Sequence, residues 1–240
     1  MKQLALDLVL PAAPALDNFV AGRNAELVES LRRLVASGAA ERFIYLWGEP
    51  GGGRSHLLKA TVSAVQAGGS VALYVGGGYG VRIPTAAAEA QCVALDDVDR
   101  LDPEAQVGAF HLYNALREKN GALLAAGLAP PVQLPLRSDL LTRLAWGLVY
   151  QVSALTDEEK AQTLAARAFS RGFRLPPEVG RFLLTRVSRD LPSLMALIDA
   201  LDRYAMETKR PVTVPLAREL LSRREAGLPA VRDPDRGGAN

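Results

Sequence analysis

Eight residues, GEPGGGRS from Gly48 to Ser55, are the most specific chemical signal in the chain. They follow an apolar segment and precede one with helical spacing, and they match the phosphate-binding pattern GxxxxGK[ST] except that Arg54 stands at the lysine position. Glycines let backbone amides turn inward around an anion, and the start of the next helix adds partial positive charge. We predict a nucleotide site at this loop, comprising Gly48, Pro50, Gly51, Gly52, Gly53, Arg54, Ser55 and His56, with Ser55 as a ligand of Mg²⁺.

Arginine at position 54 keeps the charge of the usual lysine but changes its geometry. Lysine is a compact point charge that reaches the β- and γ-phosphates, whereas the guanidinium of arginine is a larger planar group. The substitution predicts that nucleotide binding is retained and that efficient hydrolysis is lost.

A second candidate element is the segment VALDDVD, in which Asp96 and Asp97 follow an apolar strand. One carboxylate at such a position can hold Mg²⁺, usually through water, and its neighbour can orient an attacking water. Two aspartates at a strand end are by themselves more typical of a solvated turn. Because a phosphate loop precedes them, we assign Asp96 and Asp97 to the nucleotide site and Asp96 to the metal.

Alternating strand and helix patterns predict an α/β fold with a parallel sheet and helices on both faces. The expected strands are 42–48, 71–75, 92–97, 121–127 and 148–152, and the helices between them are 25–34, 55–66, 104–119 and 138–146. After Val152 the pattern becomes purely helical. A capping box, Thr156 with Glu159, opens the first of four helices, expected at 156–171, 177–189, 191–208 and 215–224.

Composition is that of a globular protein, with 49% hydrophobic and 22% charged residues. A net charge of +2 gives no bulk attraction to duplex DNA, which disfavours a nonspecific DNA binder. The single cysteine, Cys92, excludes an internal disulfide, and no apolar run reaches the roughly 18 residues of a membrane span. The amino-terminal segment faintly resembles a signal peptide, but Asp7 interrupts it, and we expect a cytoplasmic protein.

Three segments resemble the ATPase domain of the replication initiator DnaA, a member of the AAA+ class. They are DNFVAGRNAELV (17–28), IYLWGEPGGGRSHLL (44–58) and LLTRLAWGLVYQV (140–152), and the resemblance extends over 16–222. Arg54 within GGGRSHLL and the amino-terminal QLALDL are more similar to the Hda family of DnaA-related regulatory inactivators. The resemblance implies a clamp-binding tail at 1–15, a P-loop AAA+ domain at 16–153, a small all-helical lid at 154–224 and a disordered tail at 225–240.

The resemblance also assigns roles to individual residues. Arg143 is identified as an arginine finger, which acts on the nucleotide of a neighbouring subunit, although it could be an ordinary arginine on a helix surface. Phe19 and Val20 match a segment that packs on adenine, with core packing as the alternative. Four residues match a motif that docks an extended peptide on the DNA polymerase sliding clamp, with a frayed tail or edge strand as the alternative: Gln3, Leu4, Leu6 and Leu8.

Two departures from the initiator make hydrolysis by the chain itself the least expected activity. Leu128 and Ala129 stand where the family's sensor strand ends in polar residues, and Pro192 stands at the position of a sensor arginine in the lid. Arg189 is a candidate to replace that arginine. The two histidines, His56 and His111, do not form a metal or catalytic pair.

The resemblance therefore implies a negative regulator of replication initiation that binds ADP or ATP with Mg²⁺. Its implied partners are the sliding clamp, DnaA and, through the clamp, DNA; it has no membrane partner, and it is compatible with a homo-oligomer. Through the clamp it would be associated with the nucleoid. The alternative from a different class is an autonomous AAA+ ATPase, such as a helicase-loading or DnaA-like DNA-remodelling factor.

Overall fold

A computed structural model describes residues 13–36, 39–187 and 191–225 of the 240-residue chain. These residues form two compact units, one comprising Ala13–Ala154 and the other beginning at Leu155. The proposed clamp motif, Arg189 and the carboxyl-terminal tail after Glu225 lie outside the described residues.

The first unit is built on a sheet of five parallel strands in the order β2-β3-β4-β1-β5. The strands are β1 (Phe43–Trp47), β2 (Ala72–Val75), β3 (Cys92–Leu95), β4 (Ala122–Gly127) and β5 (Leu148–Gln151). β1 pairs with β4 on one side and β5 on the other, so that the carboxyl ends of all three strands lie together. The predicted parallel α/β sheet is thereby confirmed.

Four helices cover the two faces of this sheet: α1 (Ala25–Val35), α2 (Arg54–Ala67), α3 (Pro103–Glu118) and α4 (Ser138–Ala145). Successive strand residues point to opposite faces. Ile44 and Leu46 accordingly pack in the core with α1 and α2, whereas Tyr45 between them packs with α3 and α4. Burial on both faces explains why the strands are nearly continuous apolar runs.

The second unit contains four helices: α5 (Asp157–Ser170), α6 (Pro177–Arg186), α7 (Leu191–Thr208) and α8 (Val214–Glu225). The predicted capping box is present, with Glu159 N donating to Thr156 Oγ1 at 3.1 Å and Thr156 N donating to Glu159 Oε2 at 2.7 Å. Arg167 donates two hydrogen bonds to Asp199, which joins α5 to α7. Among the described residues, no helix is long and apolar enough to cross a bilayer.

One strand ends earlier than its sequence suggests. β3 was expected to include Asp96 and Asp97 but ends at Leu95, because Asp97 adopts a left-handed conformation with φ 41°. Aspartate is one of the few side chains that tolerate this region. The two carboxylates therefore lie in a turn beyond the strand.

Candidate functional site

The glycine loop between β1 and α2 has the backbone geometry of an anion-binding turn. Gly51 (φ 80°) and Gly53 (φ 100°) are left-handed, a conformation that glycine adopts without steric cost. A Cβ on Gly53 would lie 2.7 Å from Cε2 of Phe19, and one on Gly48 would lie 2.5 Å from the Val152 carbonyl oxygen. The loop thus requires glycine for both its turn and its packing.

The front of this loop is open, because Pro50, Gly51 and Ser55 are exposed. Gly53 caps the amino end of α2, whose first turn contributes partial positive charge to the loop. An open cradle of glycine backbone at a helix start fits a nucleotide phosphate. These residues lie together at the loop, and their assignment to a nucleotide site stays a prediction.

Arg54 does not extend from the loop into solvent. Its side chain is buried, with 8% exposed, and Nη1 donates a hydrogen bond to the carbonyl oxygen of Gly127 at the end of β4. The arginine at the lysine position of the motif therefore links the start of α2 to the central sheet through this hydrogen bond. This contact joins residues far apart in sequence, and the motif alone could not have predicted it.

Phe19, Val20 and His56 were all predicted to contact nucleotide. The Phe19 ring lies 5.6 Å from the His56 ring, centroid to centroid, and packs against Gly53. Nε2 of His56 lies 3.1 Å from the carbonyl oxygen of Ala15. Val20 is half-buried beside Phe19 in the chain. The structure thus places this aromatic pair directly beside the phosphate loop.

Asp96 is nearly enclosed, with 3% of the residue exposed, and both of its carboxylate oxygens accept hydrogen bonds. Oδ2 accepts from the Tyr74 hydroxyl at 2.6 Å, and Oδ1 accepts from the backbone N–H of Asp97 at 3.0 Å. Burial and the bonded Asp96 carboxylate raise the pKa of Tyr74, which therefore remains a neutral donor. Tyr74 was not predicted as a site residue, because in the sequence it is simply an aromatic residue on a strand.

Asp97 lies in a crowded turn between the ends of β2 and β3. A Cβ on Gly77 would lie 2.3 Å from the Asp96 carbonyl oxygen and 2.4 Å from that of Asp97, so this approach requires glycine. Burial, followed by the negative charge of Asp96, raises the pKa of Asp97, and the charge of Arg54 opposes that rise. Asp97 is thus coupled electrostatically to the loop arginine.

The backbone at the end of β4 is held by hydrogen bonds to side chains from other elements. The Tyr45 hydroxyl donates to the Ala129 carbonyl oxygen at 2.8 Å, and Leu128 N donates to Asp99 Oδ1 at 3.0 Å. The Leu128 side chain is itself 47% exposed. Leu128 and Ala129 therefore supply no charged side chain at this strand end.

Arg143 lies among three aromatic rings near the end of α4. Its guanidinium carbon is 4.3 Å from the ring centroid of Trp146, 5.6 Å from that of Tyr113 and 5.7 Å from that of Phe110. α4 ends just before the amino end of β5, at the edge of the sheet opposite the phosphate loop. Arg143 thus lies away from its own loop, and the three rings are partners that sequence analysis did not identify.

Metal-binding potential in the first unit rests on oxygen atoms of the nucleotide site. Within the described ranges, no group of three or more His, Cys, Asp or Glu side chains is arranged to hold a metal ion. In a phosphate loop Mg²⁺ is held largely by the phosphates, the loop hydroxyl and water, so Ser55 and Asp96 are sufficient residue types.

Comparison with known proteins supports the architecture of both units. The Hda lid domain matches residues 157–221. Domain III of the Thermotoga maritima replication initiation protein DnaA is similar with a TM-score of 0.68 at 20% identity, covering 89% of this chain and 97% of that one. AMPPCP-bound DnaA from Aquifex aeolicus has a TM-score of 0.66 at 19% identity over 91% and 71% of the two chains. A Thermotoga maritima RuvB variant has a TM-score of 0.62 at 15% identity over 90% and 74%.

A five-stranded parallel sheet with a phosphate-type loop after β1, followed by a helical lid, gives this chain an AAA+-like fold, as in these neighbours. The four-helix unit matches the Hda lid domain over residues 157–221. The chain as a whole has the fold of the DnaA structures.

Proposed function

We propose that this DnaA-related protein is a negative regulator of replication initiation, which binds to the sliding clamp and stimulates hydrolysis of the ATP bound to DnaA. The observation that carries the proposal is the placement of Arg143 at the sheet edge opposite the glycine loop. An arginine in that position is available to the nucleotide of a neighbouring AAA+ protein, whereas it is remote from its own.

Nucleotide in the chain's own loop is expected to have a structural role. The backbone of Gly51 to Gly53 and the start of α2 would hold the phosphates, with Phe19 beside the base and Ser55 and Asp96 toward Mg²⁺. A bound Mg²⁺ would neutralise phosphate charge. Arg54 is bound to Gly127, and β4 is followed by the uncharged residues Leu128 and Ala129. We therefore expect this chain to hydrolyse ATP poorly. ADP is therefore the expected resident nucleotide.

Arg143 would act on charge that develops in the partner's transition state. An arginine finger supplied in trans increases the rate of phosphoryl transfer by about 10³–10⁵ in related systems. Stacking on Trp146, Tyr113 and Phe110 restricts the guanidinium before it engages. A finger that is already ordered loses less conformational entropy on binding.

Clamp binding is proposed on the sequence of the amino-terminal segment. Gln3 would hydrogen-bond to the clamp while Leu4, Leu6 and Leu8 fill apolar pockets, in the manner of an extended peptide on a preformed site. Tethering would bring Arg143 to DnaA at sites of active replication. Replacing Gln3 and Leu4 by alanine is expected to abolish clamp binding and, with it, stimulation that depends on the loaded clamp.

Turnover of DnaA-bound ATP, measured with clamp loaded on DNA, tests this function. We expect Arg143→Ala to reduce stimulation by at least about 10³-fold while ADP binding and clamp binding are retained. Loss of the stacking contacts should also cost about 0.5–2 kcal/mol of folding stability. Arg143→Lys should fail as well, because a point charge does not reproduce the planar contact.

The matched control is Arg137→Ala on the residue that caps the same helix. Arg137 pairs with Asp139 at 2.9 Å on the surface and lies outside the matched motif, so its removal should have little effect on stimulation. Wild-type stimulation by Arg143→Ala would refute the finger assignment. Steady ATP turnover by the purified chain alone would instead favour an autonomous AAA+ ATPase.

A further inference from the structure

Asp99 places a charged side chain at the end of β4, where Leu128 and Ala129 supply none. It lies in the turn after β3, and its Oδ1 accepts a hydrogen bond from the backbone N–H of Leu128 at 3.0 Å. A Cβ on Gly127 would lie 3.2 Å from the same oxygen. Among the described residues, no group donates a hydrogen bond to Oδ2 of Asp99. The turn after β3 thus brings a carboxylate with one unused oxygen to the end of the neighbouring strand.

This strand end lies beside the glycine loop. β4 pairs with β1 so that Gly127 is opposite Trp47, and the loop begins at the next residue, Gly48. From the other end of the loop, Arg54 donates to the Gly127 carbonyl oxygen. In a phosphate loop the backbone surrounds the α- and β-phosphates, and the side chain at the position of Arg54 extends toward the β- and γ-phosphates. A γ-phosphate would therefore lie on the side of the loop that faces Gly127 and Asp99.

Little positive charge balances Asp99 at this position. Within the parts of the chain that the structure describes, its carboxylate forms no ion pair with a lysine or arginine. Arg54 is buried and bonded to a backbone carbonyl, and Arg100 is exposed to solvent, where its charge is screened. Burial, followed by the charge of Asp99, raises the pKa of Tyr45, so the nearby phenol is a neutral donor. An added phosphate charge at this point would meet a carboxylate without a countercharge.

We propose that Asp99 makes the glycine loop select nucleoside diphosphate over nucleoside triphosphate. Like charges repel more strongly in a partly buried site than in bulk water, and the repulsion falls with distance. The γ-phosphate is the group that would come nearest to Asp99, whereas the loop backbone holds the other two phosphates. The Mg²⁺ complex of a triphosphate still carries more negative charge than that of a diphosphate. The inference rests on nucleotide binding at the glycine loop, as given under the proposed function.

Calorimetric titration of ADP and of the triphosphate analogue AMPPCP into the purified full chain, both in MgCl₂, tests this role. Wild-type protein is expected to bind ADP at least about tenfold more tightly than AMPPCP, which corresponds to about 1.4 kcal/mol. Asp99→Asn removes the charge but keeps an oxygen that can accept from the Leu128 N–H. Its affinity for AMPPCP should rise at least about fivefold, whereas its affinity for ADP should change by less than about twofold.

Two variants control for structure and for net charge. Asp99→Glu keeps the carboxylate and should retain the preference for ADP. Glu89→Gln also removes one negative charge, but Glu89 precedes β3 at the end away from the loop, where it pairs with Lys119 at 2.6 Å, so both affinities should equal those of wild type.

Equal affinity of the wild type for ADP and AMPPCP, or an unchanged preference in Asp99→Asn, would overturn the role of Asp99 while leaving nucleotide binding intact. Loss of the preference in Asp99→Glu would also overturn it, because the charge is kept there. Absence of ADP binding in the wild type would instead refute the nucleotide part of the proposed function, and the role of Asp99 with it.

Discussion

Replacing Arg54 by methionine separates a structural role for the loop arginine from a role in phosphate binding. Methionine retains a flexible stem of similar width but lacks the guanidinium that donates to the Gly127 carbonyl. If the buried guanidinium chiefly ties α2 to β4, its loss should reduce stability more than it reduces affinity for ADP. If the guanidinium chiefly binds phosphate, its loss should reduce the affinity for ADP more than it reduces stability.

The magnitude follows from the contact that is lost. A hydrogen bond involving a charged group contributes about 1.5–3 kcal/mol, and the buried Gly127 carbonyl would be left without that donor. Arg54 also opposes the raised pKa of Asp97, so the variant loses a favourable charge interaction. We expect a destabilisation of about 2 kcal/mol, which at a slope of about 2 kcal/mol/M lowers the urea midpoint by about 1 M.

Tryptophan fluorescence reports on the relevant unit by itself. Both tryptophans of the chain, Trp47 and Trp146, lie in the unit Ala13–Ala154 that contains Arg54. Urea unfolding followed at these fluorophores therefore measures the stability of the nucleotide-binding unit without a signal from the lid. ADP affinity of the same variant, measured by calorimetry, is expected to fall by less than about tenfold, equivalent to about 1.4 kcal/mol.

Arg54→Lys provides a second variant, because it keeps the charge while replacing the planar donor by an ammonium. Its urea midpoint should lie between those of wild type and Arg54→Met. An unchanged midpoint in Arg54→Met together with a loss of ADP affinity of 100-fold or more would refute the reasoning. Arg54 would then act as a phosphate ligand despite its burial.

Two further substitutions test the loop and the acidic turn. Gly53→Val should weaken ADP binding at least tenfold and reduce folding stability by about 1–3 kcal/mol, because a β-branched residue is strained at φ 100° and collides with Phe19. The control is Gly69→Val, at φ 83° in open space, which should reduce stability but leave ADP affinity unchanged. Asp97→Asn should raise stability at neutral pH, because the raised pKa of Asp97 means that its ionised form is disfavoured in the folded state. That gain in stability should shrink as the pH falls through the folded-state pKa of Asp97. Urea unfolding measured at several pH values across this range tests the prediction. A gain that does not depend on pH would contradict the assignment.

Local patterns were sufficient to predict the sheet, its helices and the glycine loop. Alternating strands and helices recur at short spacing, and the capping box at Thr156 and Glu159 involves residues three positions apart. The end of β3 was predicted too late, because an apolar run does not reveal that Asp97 turns into a left-handed conformation. Periodicity thus identifies elements better than it identifies where they end.

The interactions that sequence analysis missed join residues from different elements. Tyr74 and Asp96 are 22 residues apart, and Arg54 and Gly127 are 73 residues apart. The rings around Arg143 come from α3 and from the residue after α4. No motif specifies such pairs, because they depend on strand order and on the packing of helices against the sheet. A motif predicts where a site lies, whereas tertiary packing determines what its side chains contact.

The single cysteine has a practical consequence for experiments on this protein. Cys92 lies on β3 with 1% of the residue exposed, and burial raises the pKa of its thiol to about 12. The reactive species toward maleimides is the thiolate, so the native thiol should be inert under labelling conditions that leave the fold intact. Cysteines introduced at Val132 and Phe169, which are 80% and 82% exposed in separate units, would then be the reactive sites for a donor and acceptor dye pair. Such a doubly labelled protein would show, one molecule at a time, whether ADP changes the distance between the sheet unit and the lid.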